Sequence, residues 1–133
     1  MPSVFTRIIA RELPGTFVHE DAYCVAFMTI NPIAPGHLLV VPRAEVDHWI
    51  DLDPVSAEAT FAAARLLAEA QRRSFPCERV ALVVAGFEVP HCHVHLIPAS
   101  SMADLDFSRA ATDVARADLE NAAARIRAAL PSA

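Results

Sequence analysis

His91, His93 and His95 occupy every second position of "HCHVHLIP", and they are three of only six histidines in 133 residues. In an extended strand this alternation puts three imidazoles on one face, with neighbours roughly 6.5–7 Å apart at the backbone. Cys92, Val94 and Leu96 take the other face, which their apolar character marks as the buried one. The histidine face is then expected to open onto a cleft or onto solvent. A polar strand face that carries histidine by chance is the bland alternative. Three rings in strict alternation argue against it, because protonating one imidazole disfavours protonating the next. Two chemistries remain. Paired imidazoles can hold a metal, or one neutral imidazole can act as a nucleophile while its neighbours orient it and offset charge. The metal reading is the weaker one, since the chain has no Cys pair and no H-E-x-x-H. Other acids or distant histidines could still complete a metal site.

The elements that must position these rings follow from pattern. "NPIAPG" is too rich in proline for regular structure and forms a rigid loop, which delivers His37 to the start of the strand "HLLVVP". "TFVH" and "YCVAFMT" read as strands joined by a short turn around Glu20-Asp21, and "RVALVVAG" and "HCHVHLIP" as two more strands. "SVFTRIIAREL" predicts a helix with Phe5, Ile8 and Ile9 on one face, stopped by Pro14-Gly15. Asp53-Pro54 starts a second helix that runs to about Ser74. Its solvated stripe carries Glu58, Arg65, Glu69 and Arg72, and its buried side carries Phe61, Leu66 and Leu67. A loop from Ala99 to about Ala111 precedes a last amphipathic helix spaced by Leu119, Ala123, Ile126 and Leu130. This order of elements predicts one α+β domain with a mostly antiparallel sheet.

Composition narrows the partners. The formal net charge is −5 with no basic cluster, so the chain is not expected to bind a nucleic acid polymer, whose phosphates supply most of that affinity. A single nucleotide needs only a few amides and side chains. No apolar run approaches a membrane span. Cys24, Cys77 and Cys92 are odd in number and widely spaced, which predicts free thiols in a reducing compartment, and no signal peptide is evident. A cytoplasmic location is expected. Hydrophobic residues reach 54% and mean hydropathy is +0.33, so some apolar surface is expected to be covered, most simply by a second copy of the chain. His19 and His48 read as solvated, with Trp49 a candidate interface anchor.

"HCHVHLIP" resembles the His-φ-His-φ-His-φ-φ motif of the histidine triad (HIT) family. "ARELPGTFVHEDAYCVAFMTINPIAPGHLLVVPRAEV" resembles that family's N-terminal pattern, including its Asn-Pro…Pro-Gly-His loop. The similarity runs from about Phe5 to Pro98. It implies an α+β HIT-like fold: a mostly antiparallel five-stranded sheet with two or three helices. Residues 1–133 would form a single domain, with segment 99–133 a loop plus an amphipathic helix.

The implied function is a hydrolase or transferase acting at the α-phosphate of a nucleoside phosphoramidate, a nucleotide ester or a dinucleoside polyphosphate. In that family the middle histidine attacks phosphorus and forms a nucleotidyl-imidazole, which water then cleaves. His93 takes that position. His91 and His95 take the flanking positions, which orient the nucleophile and bind the α-phosphate. His37 matches the histidine that supports the triad from the neighbouring strand. Phe27 and Ile30 sit where the family packs its purine base. The family is usually dimeric, two strand sets forming one continuous sheet, and the expected partners are a nucleotide and a second copy of the chain.

The sequence departs from the family pattern at four places. Ser3 and Thr6 replace an N-terminal Cys-x-x-Cys, so the zinc that some members carry there is not expected, and neither a metal nor a cofactor is expected elsewhere. Thr29 replaces an aspartate that holds the ribose hydroxyls, and it can make only an uncharged contact. Gly86-Phe87-Glu88-Val89 replaces Gly-Gln-Ser/Thr-Val, which puts the Glu88 carboxylate where a hydroxyl contacts phosphate and leaving group. The Asn-rich segment upstream is shortened to "ALVVAG". These departures keep a second reading open, a nucleotide-sensing or protein-binding homodimer with little turnover.

Overall fold

Every residue of the strands Cys24–Met28 (β2) and Leu38–Pro42 (β3) is buried, so the centre of the sheet is covered on both faces. The structure, a computed structural model, describes residues 1–131. The other strands are Phe17–Glu20 (β1), Arg79–Val83 (β4) and Val94–Ala99 (β5). The sheet has the order β1-β2-β3-β5-β4, and each neighbouring pair is antiparallel. Three helices, Val4–Ile9 (α1), Pro54–Ser74 (α2) and Arg116–Ala129 (α3), complete the fold. The expected five-stranded α+β architecture is therefore present. Ser132 and Ala133, the end of the expected 99–133 segment, lie outside the described residues.

The two faces of the sheet carry separate cores. Ala26, Met28, Leu38, Val40, Val94 and Leu96 pack against Ala63, Ala64 and Leu67 of α2 and Leu119, Ala123 and Ile126 of α3. Val25, Phe27, Leu39 and Val41 point the other way and are covered by Phe5, Ile8 and Ile9 of α1. Register places Phe17, Phe27, Leu39 and His95 in one row across the sheet, so His95 lies on the α1 face.

Local chemistry explains the element ends and several departures from expectation. The Asp53 carboxylate accepts from Ser56 N–H and Pro54 opens α2, which is the predicted start. Leu66 of α2 is 36% exposed, because the buried stripe runs through Thr60, Ala63, Ala64 and Leu67 instead. The helix α1 stops at Ile9, before Pro14-Gly15, because the chain reverses at Arg11 in the left-handed region (φ 65°). The strand β5 starts at Val94, so His91 and His93 lie on its approach. Pro90 has no N–H to give a ladder, and Cys92 N–H is taken by the Val46 carbonyl at 2.7 Å. The segment 99–111, read as a loop, contains two short 3-10 turns, Met102–Leu105 and Phe107–Arg109. His19, read as solvated, is held by Asp21 Oδ2 at 2.8 Å. The Asp21 carboxylate also accepts from the N–H groups of Tyr23 and Cys24, closing the β1–β2 turn.

Gly36 and Gln71 fix the loop that delivers His37. Gly36 has φ +85°, and a Cβ there would stand 2.6 Å from the Phe75 ring. Gln71, buried on α2, donates through Nε2 to the carbonyls of Gly36 at 2.9 Å and Leu96 at 3.0 Å. One amide thus ties the loop before β3 to the strand that carries His95.

Candidate active site

The four histidines His37, His91, His93 and His95 meet on the α1 face, and their hydrogen bonds assign their ring protons. Ile33 N–H donates to His37 Nδ1 at 3.1 Å. That nitrogen is therefore the acceptor, and Nε2 of the neutral ring carries the hydrogen. His37 Nε2–H then donates to His95 Nδ1 at 3.0 Å. A neutral His95 must in turn carry its hydrogen on Nε2. Burial pushes His37 down to about 3 and His95 to about 4, and the repulsion between neighbouring rings adds to both. Both rings are accordingly neutral near pH 7, and the relay presents one N–H at His95 Nε2.

His93 is set the opposite way. Its Nδ1–H donates to the His91 carbonyl at 2.8 Å, which leaves the lone pair on Nε2. Among the described residues, Nε2 of His93 and Nε2 of His95 have no hydrogen-bond partner. The two ring centroids are 5.1 Å apart. The site thus offers an unprotonated nitrogen beside an N–H donor.

The expectation of an open histidine face needs correction. His91 is 0% exposed and His93 6%, because α1 lies across this end of the triad. His91 Nε2–H donates to the Pro42 carbonyl at 2.7 Å, and Ser3 Oγ lies 2.7 Å from His91 Nδ1. The Ser3 oxygen already accepts from Thr6 N–H as the N-cap of α1, so its own hydrogen goes to His91. Glu45 Oε1 accepts from Ser3 N–H and from Thr6 Oγ1–H, both at 2.6 Å. Those hydrogen bonds hold the Glu45 carboxyl below its ordinary range. Phe5 packs edge-on against His93 at 4.9 Å and His91 at 5.9 Å. Both nitrogens of His91 are thus engaged within the protein.

The positions that replace Cys-x-x-Cys, Ser3 and Thr6, therefore join Glu45 and His91 in one hydrogen-bonded cluster. Two hydroxyls, a carboxylate and an imidazole that already accepts a hydrogen lack the thiolates of a structural zinc site. This donor set does not fit zinc.

The remaining expected residues are distributed around the triad. Phe27 is buried in the α1-side core, between Phe5 at 5.7 Å and Phe17 at 5.8 Å. Ile30 is 69% exposed. The Thr29 hydroxyl accepts from Asn31 N–H at 3.1 Å, within the loop that leads to His37. Glu88 is exposed on the segment that approaches His91 and forms no ion pair among the described residues. A cleft of about 500 Å3 lies behind His37, toward α3, and His91, His93 and His95 do not line it. Cys92 is buried, and burial pushes its thiol up to about 11, which keeps it an inert core residue.

Sequence reasoning missed Ser3 and Glu45 as supports of His91, Gln71 as a tie, and Phe107. The Phe107 ring stands edge-on to His95 at 4.9 Å and to His37 at 6.2 Å. Ser3 and Thr6 do carry the spacing of an N-cap before an apolar run, a signal that was available. Phe107 sits in a segment with no periodicity, so no pattern points to it.

The model of the HIT domain family matches residues 10–102, more than half of the chain. The chain belongs to the HIT domain family. Similarity to members of the HIT family extends beyond the matched region. The chain is 30% identical to Protein hit of Bacillus subtilis, an alignment that covers 97% of this chain and 94% of that protein. It is 31% identical to the purine nucleoside phosphoramidase of Escherichia coli, over 71% of this chain and 85% of that one. A crystal structure of a Hit-like protein involved in cell-cycle regulation, from Bartonella henselae, superposes with a TM-score of 0.86 at 29% identity, covering 96% of both chains. No helix among the described residues is long and apolar enough to cross a membrane.

Proposed function

We propose that this HIT protein is a hydrolase or nucleotidyl transferase that cleaves at the α-phosphate of a nucleotide through a covalent intermediate on His93. The observation that carries the reading is the fixed tautomer of His93. Its Nδ1–H is held by the His91 carbonyl, so the lone pair on Nε2 is free to attack. In the first step Nε2 forms a bond to phosphorus while the bond from phosphorus to the leaving group breaks. Positive charge develops on the His93 ring, and the His91 carbonyl stabilises it through Nδ1–H. His95 Nε2–H supplies a hydrogen bond to the phosphoryl oxygens or to the departing group, and the proton that the leaving group takes up comes from solvent, since a neutral His95 has none to give. Water then cleaves the phosphorus–nitrogen bond and regenerates His93. His91, engaged at both nitrogens, acts through its carbonyl and its fixed position.

Phe27, Thr29 and Ile30 are proposed to line the base and ribose end, and Glu88 to stand at the phosphate end. Similarity to the Escherichia coli purine nucleoside phosphoramidase favours a purine nucleoside phosphoramidate as substrate. Nucleotide esters and dinucleoside polyphosphates are the neighbouring substrate classes. The protein is further proposed to be one domain over 1–133 and a cytoplasmic homodimer. Support for the dimer comes from β4, an edge strand with Leu82 exposed, and from Trp49, Ile50 and Leu66, exposed on and before α2. An unpaired edge beside apolar surface is a ready pairing site.

The test combines binding and turnover. Adenosine and guanosine 5′-monophosphates should raise the melting temperature, and adenosine 5′-phosphoramidate should be converted to the monophosphate. Binding without conversion in a pure preparation would support the nucleotide-sensing alternative instead. Light scattering should give twice the 14.4 kDa chain mass.

A further inference from the structure

We infer that Phe107 determines leaving-group specificity, forming an exposed aromatic wall that favours amine leaving groups with a flat apolar body. The inference rests on the hydrolase reading above. Two phenylalanines flank the triad, and they are used differently. Phe5, on the His91 side, is 7% exposed and belongs to the core under α1. Phe107, on the His95 side, is 43% exposed although its ring touches both His95 and His37. It packs against His95, the one triad ring whose N–H is unclaimed among the described residues.

The ring is also held in place before any ligand arrives. Asp106 caps its 3-10 turn by accepting from Ser108 N–H at 3.0 Å and from Ser108 Oγ–H at 2.6 Å. Ala111 N–H donates to the Pro32 carbonyl at 2.9 Å, and Asn31 Nδ2 donates to the Ala111 carbonyl at 3.0 Å. These bonds clamp the segment onto the loop that carries His37. A rigid aromatic surface binds a flat partner with little ordering cost.

Charge selects among the leaving groups. A polyphosphate departs as an anion and calls for cations near the reacting phosphorus. The chain contains no lysine. Among the described residues, the side chains that stack on or hydrogen-bond to the triad rings are Phe5, Phe107, His37, Ser3 and Thr6, none of them a cation, and Arg109 lines the cleft on the far side of His37. Glu88, three residues before His91, adds negative charge to the approach. An amine whose nitrogen has taken a proton from solvent leaves as the neutral amine when the phosphorus–nitrogen bond breaks, so no negative charge builds on it, which suits this setting. An arylalkyl amine adds a ring that can meet Phe107.

The experiment compares adenosine 5′-phosphoramidate with its N-phenethyl derivative, using kcat/KM on wild type, Phe107→Ala and Phe107→Leu. The wild type should prefer the phenethyl substrate. That preference, taken as the ratio of the two kcat/KM values, should fall about tenfold in Phe107→Ala, the scale of one aromatic contact. It should fall by an intermediate factor in Phe107→Leu. A thermal melt checks that both variants are folded. Equal losses on the two substrates in Phe107→Ala, or a wild type without preference, would overturn the inference and leave the hydrolase reading standing. Failure of the wild type to cleave either substrate would instead sink the hydrolase reading, and the inference with it.

Discussion

His91 is sealed by α1, its ring held between the Ser3 hydroxyl and the Pro42 carbonyl. His95, four residues on, meets His37 and a half-exposed Phe107, and keeps its own N–H free among the described residues. The side chains are identical and the spacing is regular, so neither type nor register makes the difference. The partners do. A helix capped by Ser3 and anchored by Glu45 turns one end into a support, whose backbone carbonyl aims the middle ring. A relay through His37 turns the other end into a donor with its N–H uncommitted among the described residues. The triad motif in this protein thus has two ends held in opposite ways around the middle ring, the proposed nucleophile.

Substitutions at the two ends should therefore separate activity from stability. His95→Asn removes the free N–H and should lower kcat about 100-fold, within the range for loss of one hydrogen-bond donor to the transition state. Its melting temperature should stay close to wild type, because a half-buried ring gives way to a smaller polar group. A His95→Asn variant within threefold of wild-type kcat would show that the open end is not the donor. Ser3→Ala should do the reverse. It leaves buried His91 Nδ1 without its donor and removes the N-cap of α1, at a cost of about 1–3 kcal/mol. Chemical denaturation measures that loss, while kcat should fall by less than about tenfold. Unchanged stability in Ser3→Ala would break the account of the sealed end.

Acid should sharpen the contrast at the open end. The folded values of His37 and His95, about 3 and about 4, lie below the ordinary value of 6.5. Between about pH 6.5 and 4 the unfolded chain thus binds more protons than the native one, so stability is present above that window and is lost as pH falls through it. Each ring contributes a slope of about 1.4 kcal/mol per pH unit at most. Denaturation midpoints from pH 7 to 4.5 should decline, and His37→Asn should flatten the decline. A steeper decline in that variant would contradict the neutral relay.

The smallest expected effect concerns the segment before the triad. Glu88 is exposed, with no cation paired to it among the described residues. Glu88→Ser removes a charge that opposes phosphate and should tighten nucleoside monophosphate binding about three- to tenfold, as read by calorimetry. Equal affinity would place the carboxylate outside the field of the phosphate.

Much of this arrangement is legible in the residues because the signals are local. Asp53-Pro54 marks the start of α2, the prolines around His37 mark a rigid loop, and alternation marks the triad. The closure of His91 is not legible, since it depends on Ser3 and Glu45, 42 residues apart, converging on a third segment. The late start of β5 depends in the same way on a distant carbonyl, that of Val46. Phe107 reaches the site from a segment whose short turns repeat no apolar pattern. Alternation therefore marks this face as a candidate for chemistry, while contacts across the fold decide how each of its rings is held.

The central claim is that His93 Nε2 is the nucleophile, and intact-protein mass spectrometry tests it most directly. Wild type and His93→Asn would be mixed with adenosine 5′-phosphoramidate, quenched at alkaline pH within one turnover, and digested to locate the adduct. One adenylyl group is expected on His93 in the wild type. His93→Asn should show no adduct and a loss of turnover of about 1,000-fold or more, with monophosphate binding retained. An adduct on another residue, or near wild-type turnover in pure His93→Asn, would contradict it.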